Sequence, residues 1–125
     1  MSFSTLAELQ AIEQEMPWGK RDNAATMYQF LTNTKDRYPD RPAASFQLMS
    51  GATDKAETLS WSELHAKVVQ AANLFRSLKI GEKDTIAFVM PNCNETLFAL
   101  LGGMIAGIVN PINPLLEPEQ IGAIL

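Results

Sequence analysis

The feature that most constrains the fold is a strand–helix–strand pattern in the last third of the chain. Two short apolar runs, TIAFVM at residues 85–90 and IVNPI at residues 108–112, flank a segment with helical spacing. A crossover of this length allows the two strands to pair in parallel, with a right-handed connection. The first run is apolar throughout, which is typical of a strand covered on both faces. We therefore predict an α/β fold built around a parallel strand pair.

The segment before this unit predicts an antiparallel hairpin and then an amphipathic helix. The strands are expected at residues 43–49 and 57–61, on either side of the polar turn SGATDKAE. The helix is expected over residues 61–79, because Ser60 and Glu63 have capping-box spacing and apolar residues recur every three or four positions. These apolar residues are Leu64, Val68, Ala71, Ala72, Phe75 and Leu78.

The N-terminal part predicts two further helices separated by the linker PWGKRDN. The first begins at the capping box of Thr5 and Glu8 and ends near residue 16, before a proline. The second is expected over residues 24–36, with Asn23 as its N-cap. Its expected apolar residues are Met27, Phe30 and Leu31. We divide the chain into a helix and linker at residues 1–22 and a main unit at residues 23–125.

The turn MPNCNE, where the first apolar run meets the next helix, admits two interpretations. Nucleotide-binding units of this kind carry glycines in the turn, which let the backbone approach phosphates at a helix N-terminus. This turn has neither Gly-x-Gly-x-x-Gly nor Gly-x-x-x-x-Gly-Lys. Asn92 and Glu95 have the spacing of a capping box instead. We favour a capped structural turn over a phosphate cradle.

Single residues that could carry chemistry are few, and each has a structural interpretation. His65 is the only histidine and has no ligand-forming neighbour at metal spacing, so a partly exposed helix position is favoured. Cys93 stands at a helix N-terminus, which favours a thiolate, but no base partner is identifiable. Glu63 and Glu95 fit capping roles, and Trp61 and Phe75 fit core contacts. We assign no catalytic, cofactor-binding or metal-ligating residue.

Small residues in the helix between the two apolar runs suggest close packing. Gly102, Gly103 and Ala106 are expected to let this helix approach the sheet, and Gly107 is expected to end it. Gly103 and Gly107 have the spacing of a membrane-helix dimer motif, but the apolar run at residues 97–109 is shorter than the about 20 residues that a spanning helix needs.

Charge and cysteine content exclude several classes of protein. The net charge is −4 and the ten Lys and Arg residues are scattered, so a nucleic-acid binder is not expected. One cysteine excludes an intramolecular disulfide and fits a reducing compartment. The N-terminus lacks a secretory pattern. We expect a cytoplasmic protein without a transmembrane segment, and peripheral contact with a membrane stays open.

Four stretches in order, YPDRPA, TLSWSELHAKVVQAANLFRSL, GEKDTIAFVMPNCNETLFALLGGMIAGIVNPINP and LLEPEQIGAIL, resemble the N-terminal part of the adenylate-forming superfamily. This superfamily includes acyl-CoA synthetases, aryl-CoA ligases, luciferases and peptide-synthetase adenylation domains. The resemblance covers about residues 23–125, and NPINPLLEPEQI looks most like bacterial acid–CoA ligases. The chain departs from the pattern at Lys79, where a glycine commonly ends the preceding helix.

The resemblance implies an ATP-dependent acid–CoA ligase, active in acid or fatty acid metabolism, that forms an acyl-adenylate and then a thioester with CoA. It also implies ATP, magnesium and CoA as cofactors and a carboxylic acid as substrate. The superfamily's phosphate loop, magnesium motif, ribose-binding Asp, hinge and catalytic Lys have no match here. We therefore expect an N-terminal scaffold segment that binds no cofactor, is inactive alone and has the rest of a parent synthetase as its partner.

Two alternatives stay open: a short, non-catalytic interaction module related to these synthetases, and an unrelated small α/β binding domain. The sequence breaks off within a helix at IGAIL, which we interpret as favouring the segment of a larger enzyme over the module. A parallel pair without further strands has an unpaired edge and an uncovered apolar face. We therefore expect the isolated chain to be marginally stable or to self-associate.

Overall fold

A computed structural model describes residues 5–20, 24–49, 51 and 53–125 of the chain. Within these residues a single 3₁₀ turn, Trp18–Lys20, stands between the first two helices. The helices and strands follow in the order α1 (Leu6–Glu15), α2 (Met27–Arg37), β1 (Pro42–Phe46), β2 (Glu57–Ser60), α3 (Trp61–Ser77), β3 (Thr85–Val89), α4 (Asn94–Ala106), β4 (Ile108–Ile112) and α5 (Pro118–Ile124). The predicted α/β fold is confirmed.

The strands form two separate pairs. β1 and β2 are antiparallel, and β3 and β4 are parallel, with Thr85 opposite Ile108 and Val89 opposite Ile112. Strand β1 ends three residues earlier than predicted. The reason is that the Gln47 side-chain amide donates to the carbonyl oxygens of Gly51 and Asp54, at 3.0 and 3.3 Å, and so turns the chain locally.

Helix α3 begins as predicted and holds the centre of the core. The Ser60 amide donates to the Glu63 carboxylate at 2.8 Å, and the Glu63 amide donates to the Ser60 hydroxyl at 3.2 Å. Leu64 and Val68 of α3 pack with Leu31 of α2 in one buried cluster. The prediction that Leu78 belongs to the apolar side of this helix is wrong, because the helix stops at Ser77 and the Leu78 side chain is 64% exposed.

Helix α4 lies between α3 and the parallel pair, and its two adjacent glycines point in different directions. A Cβ on Gly103 would overlap the Val109 side chain of β4, as expected for close approach to the sheet. A Cβ on Gly102 would instead lie 2.7 Å from the Ala71 Cβ and 2.9 Å from the Val68 carbonyl oxygen, both in α3. The prediction that Gly102 faces the sheet is therefore wrong.

Helix α3 ends in the backbone geometry of a glycine cap, although Lys79 stands at the position where a glycine is common. Lys79 has φ of 66°, in the left-handed region, and is the one non-glycine residue of the described chain with positive φ. The amide of Lys79 donates to the Arg76 carbonyl at 2.9 Å, and the amide of Ile80 donates to the Phe75 carbonyl at 3.1 Å. This pair of bonds is a Schellman motif, which most often has glycine at this position.

Helix α2 begins later than predicted. Its N-cap is Thr26, whose hydroxyl accepts a hydrogen bond from the Gln29 amide at 3.1 Å. Gln29 is three residues after Thr26, which is the spacing at which an N-cap hydroxyl reaches a free helix amide. The predicted cap, Asn23, lies outside the described residues. Leu31 is buried, but Phe30 is 51% exposed, so Phe30 does not belong to the buried side of this helix.

Helix α4 covers one face of the parallel pair, and the other face is exposed along β3 in the described chain, although Ile112 of β4, opposite Val89, is buried. Ile86 and Val109 lie beneath α4, whereas Thr85, Ala87 and Val89 on the other face of β3 are exposed. Ile108 of β4 is 51% exposed. The prediction that β3 is covered on both faces is wrong in the described chain, because Thr85, Ala87 and Val89 are exposed.

The predicted limits of α1 and β4 are confirmed to within one residue, and Pro118 occupies the first turn of α5. No helix among the residues that the structure describes has both the length and the apolar character needed to cross a membrane. The boundary between residues 22 and 23 stays a prediction.

Candidate functional site

A groove lies where β3 and β4 end, on the side of their carboxyl termini. Its volume is about 510 Å³, within the range of small-molecule sites. Open α/β sheets bind ligands at this edge, because the loops that follow the strands form a crevice there. The groove is lined by Phe88, Met90, Pro91, Asn92, Thr96, Pro111, Ile112, Asn113, Pro114 and Leu115.

The chemistry of this groove is apolar and uncharged. None of its ten lining residues has an ionisable side chain, and the polar groups come from Asn92, Thr96 and Asn113. The Thr96 hydroxyl donates to the Pro91 carbonyl, and the Asn113 side chain accepts from the Leu115 amide at 3.0 Å. The Thr96 and Asn113 side chains therefore shape the two loops. The lining offers no cation for a phosphate and no carboxylate for magnesium.

The N-terminus of α4 borders this groove and differs from the prediction. The helix begins at Asn94 with Cys93 as N-cap, and Cys93 makes no side-chain cap bond. The expected capping box of Asn92 and Glu95 is therefore wrong, because Glu95 is the second residue of the helix and not the third. Hydrogen bonds from its own amide and from Cys93 lower the pKa of the Glu95 carboxyl below its usual value.

A buried amide ties this helix to the hairpin. Asn94 is only 4% exposed, and its side-chain NH2 donates to the Glu57 carboxylate at 2.9 Å. Asn94 and Glu57 are separated by 37 positions, so no local pattern could have predicted the contact. The link sets the position of the MPNCNE turn relative to β2.

The other predicted candidates occupy structural positions. His65 is half-buried, its Nε2 lies 3.0 Å from the Thr32 hydroxyl, and its ring centroid lies 5.8 Å from that of Tyr28. Burial lowers the pKa of His65, the Lys35 cation lowers it further, and Asp36 opposes this effect. Hydrogen bonds from Ser60 lower the pKa of Glu63, as its capping role requires.

The side chains of Cys93 and His65 have different partners. Cys93 is half-buried, and its sulfur lies 3.3 Å from the Thr96 hydroxyl, whereas His65 bonds to α2. Across the described ranges no group of three His, Cys, Asp or Glu side chains is arranged to hold a metal ion. The assignment of no site residue stays a prediction.

The family model for AMP-binding enzymes matches residues 31–125, about three quarters of the chain. This chain belongs to the AMP-binding enzyme family. It is 31% identical over 120 residues to the marinolic acid–CoA ligase of Pseudoalteromonas sp., a match that covers 96% of this chain and 18% of the relative. It is 35% identical over 89 residues to the crotonobetaine/carnitine–CoA ligase of Salmonella arizonae, which covers 70% of this chain and 17% of the relative.

Solved structures with the same fold come from adenylate-forming enzymes. The N-terminal subdomain of Klebsiella oxytoca NpsA superposes with a TM-score of 0.69 at 20% identity, over 80% of this chain and 24% of that one. The Mycobacterium tuberculosis fatty acyl CoA synthetase gives 0.67 at 22% identity, over 80% of this chain and 19% of that one. The fold is therefore that of the N-terminal subdomain of these enzymes. The chain spans between 12% and 18% of the length of the curated relatives it matches.

Proposed function

We propose that this chain is the N-terminal scaffold segment of an ATP-dependent acid–CoA ligase. The proposed overall reaction joins a carboxylic acid to CoA in two steps. The carboxylate displaces pyrophosphate from ATP to give an acyl-adenylate, and the CoA thiol then displaces AMP to give the thioester. The relatives of the chain are acid–CoA ligases of the AMP-binding family, which supports this reaction class.

The observation that carries the scaffold role is the uncharged groove at the carboxyl ends of β3 and β4. It stands at the edge where α/β sheets bind ligands, yet its lining has no cation for the phosphates and no carboxylate for magnesium. In-line displacement at phosphorus needs cations and hydrogen-bond donors around the phosphates. We therefore place the binding of ATP, magnesium and CoA in the longer ligase, outside this chain, and assign the chain no catalytic step.

The substrate is proposed only as a class, a carboxylic acid. The relatives are named for marinolic acid, 4-coumarate, long-chain fatty acids and crotonobetaine or carnitine, which share a carboxylate and differ in the rest. The proposed partner is the remainder of the synthetase, which would cover the exposed face of β3 and β4. A cytoplasmic location is part of the same proposal.

Calorimetric titration tests whether the chain itself binds Mg-ATP or CoA. Mg-ATP and CoA are titrated separately into the chain, with a full-length acid–CoA ligase as the positive control. We expect no saturable heat at millimolar ligand for this chain and saturable binding for the control. Saturable binding of Mg-ATP to the chain at micromolar concentration would show that it carries part of the nucleotide site and would overturn the proposal.

A further inference from the structure

Two grooves adjoin at the start of α4 and together form an elongated surface, which we call the strand-end trough. The groove of about 510 Å³ at the ends of β3 and β4 adjoins a second groove of about 200 Å³, because Asn92 and Thr96 line both. The second groove is lined by Asn92, Cys93, Thr96, Leu97 and Leu100. It therefore follows α4 for about 6 Å, at about 1.5 Å per residue from Thr96 to Leu100.

The strand-end trough has an apolar lining. Phe88 and Pro111 are opposite each other in the parallel pair, so their side chains lie on the same face of the sheet. Met90 is half-buried, and its flexible thioether side chain can adapt to the shape of a ligand. Leu115 is 87% exposed at the rim. A concave apolar lining with an exposed leucine beside it has the character of a small-molecule site.

The polar groups of the trough offer little to a charged or polar ligand. Neither lining contains a lysine, an arginine, a histidine or a carboxylate. The Thr96 hydroxyl donates to the Pro91 carbonyl, and the Asn113 side chain accepts from the Leu115 amide, so both are engaged within their own loops. A charged group placed in the trough would lose its bonds to water without replacing them. The lining therefore favours a hydrocarbon.

We propose that the strand-end trough binds the aliphatic tail of a carboxylic acid, while the carboxylate lies outside the trough in water. An uncharged lining complements an uncharged tail, and no cation of the lining is available to hold the carboxylate. The occupant is a chain because the trough extends from the loop after β4 to the side of α4. That this acid is the substrate of a ligase rests on the proposed function, whereas the affinity of the trough for an aliphatic chain does not.

Calorimetric titration of the 125-residue chain with straight-chain acids tests the proposal. Hexanoate, octanoate and decanoate are compared below the concentrations at which they form micelles, and we expect saturable binding to a single site. Each added CH2 should lower Kd roughly twofold to fourfold, because a bound tail removes that apolar area from water. Octanol should bind about as tightly as octanoate, because the carboxylate makes no contact with the trough.

Variants at exposed positions locate the bound tail. Leu115→Glu should raise the Kd for octanol roughly tenfold or more, because it replaces an apolar contact with a charge at the rim. Octanol is the probe here because it has no charge that the new carboxylate could repel. Leu48→Glu is the matched control: Leu48 is 81% exposed and lies outside both linings, so its Kd should stay unchanged. Circular dichroism checks that each variant is folded.

The exposed face of the parallel pair is the competing place for an aliphatic chain. Ile108 is 51% exposed on that face, at the end of β4 away from the trough. We expect Ile108→Glu to leave the Kd for octanol unchanged. If Ile108→Glu abolishes binding and Leu115→Glu does not, the tail lies on the sheet face and the proposal is wrong.

Two further results would overturn the proposal. One is the absence of saturable binding of decanoate at millimolar concentration. The other is a Kd that does not change from hexanoate to decanoate, because the tail would then make no contact with the protein.

Failure of this inference is distinguishable from failure of the proposed function, because binding of octanoate needs no ATP. Saturable binding of Mg-ATP beside normal binding of octanoate would overturn the scaffold role and support the trough. Absence of binding of both octanoate and Mg-ATP would overturn the trough alone.

Discussion

Lys79 shows how one residue can carry strain that the sequence pattern already signals. Its φ of 66° lies in a region where a Cβ costs about 1 kcal/mol or more. The Schellman bonds to Arg76 and Phe75 hold it there, since they satisfy carbonyl groups at the end of α3. The end of α3 therefore keeps the Schellman geometry, and Lys79 adopts it at a steric cost that a glycine would not have.

Replacing Lys79 with glycine should stabilise the chain by about 0.5–1 kcal/mol, because glycine adopts this conformation without the steric cost. Urea denaturation measures the change. Lys79→Ala is the control, as it removes the amine and keeps the Cβ, and it should leave stability nearly unchanged. Equal stabilisation in both variants would mean that the amine, and not the backbone conformation, is the source.

His65 makes the stability of the chain depend on pH in a predictable direction. Its pKa in the folded state is lowered from 6.5, so the unfolded chain binds the proton more readily. The stabilisation is fully present above pH 6.5 and is lost as the pH falls from there through the lower pKa of the folded state. Urea midpoints should decrease between pH 7 and pH 5, before the carboxyl groups of Glu63 and Glu95 titrate.

The variant His65→Gln should flatten this dependence, because its amide can still bond to Thr32 and does not titrate. An unchanged slope between pH 7 and pH 5 in His65→Gln would assign the effect to another group.

At the scale of elements, α4 packs closely against both α3 and the sheet, because Gly102 faces α3 and Gly103 faces the sheet. Gly102→Ala should cost about 1–3 kcal/mol, because its Cβ would meet the backbone of α3 at 2.9 Å and neither helix can shift without disturbing the core. Gly122→Ala in α5 is the matched control, since nothing lies within 4 Å of its added Cβ. A cost below 0.5 kcal/mol in Gly102→Ala, measured by urea denaturation, would show that the two helices are not in such close contact.

The link between α4 and the hairpin is testable in the same way. Asn94→Ala should destabilise the chain by about 1–2 kcal/mol, since a buried donor and its packing are lost. Glu57→Gln should cost less, because its amide oxygen can still accept from Asn94. The reverse order of the two costs, in urea denaturation, would contradict the direction of this hydrogen bond.

The elements that the sequence predicted well are those whose signals are local. The capping boxes at Thr5 and Ser60 and the apolar runs of β3 and β4 all depend on neighbouring residues, and the structure confirms them. The start of α2, the cap of α4 and the direction of Gly102 were predicted wrongly, because competing caps and long-range packing decide them. The Asn94–Glu57 contact and the groove at the strand ends depend on distant parts of the chain meeting.

At the scale of the whole molecule, the exposed face of β3 and β4 is an incomplete surface. Val89 and Ile108 are 44% and 51% exposed there, and both strands have an unpaired edge in the described sheet. Burial of apolar area is the main driving force of folding, so a small core of this kind supports little net stability.

We expect unfolding of the isolated chain at low urea concentration, or association at higher protein concentration. Urea denaturation followed by circular dichroism, with sedimentation at the same concentrations, measures both. A monomer that unfolds cooperatively at high urea concentration would contradict this expectation.

Acid-dependent exchange of labelled pyrophosphate into ATP tests the scaffold role most directly. The 125-residue chain is assayed with Mg-ATP and a panel of aliphatic and aromatic carboxylic acids, beside the crotonobetaine/carnitine–CoA ligase as a positive control. We predict exchange by the control and none by the chain above the rate without protein. Exchange that requires both an added acid and the chain, and rises with chain concentration, would contradict the assignment of the chemistry to the rest of a longer ligase.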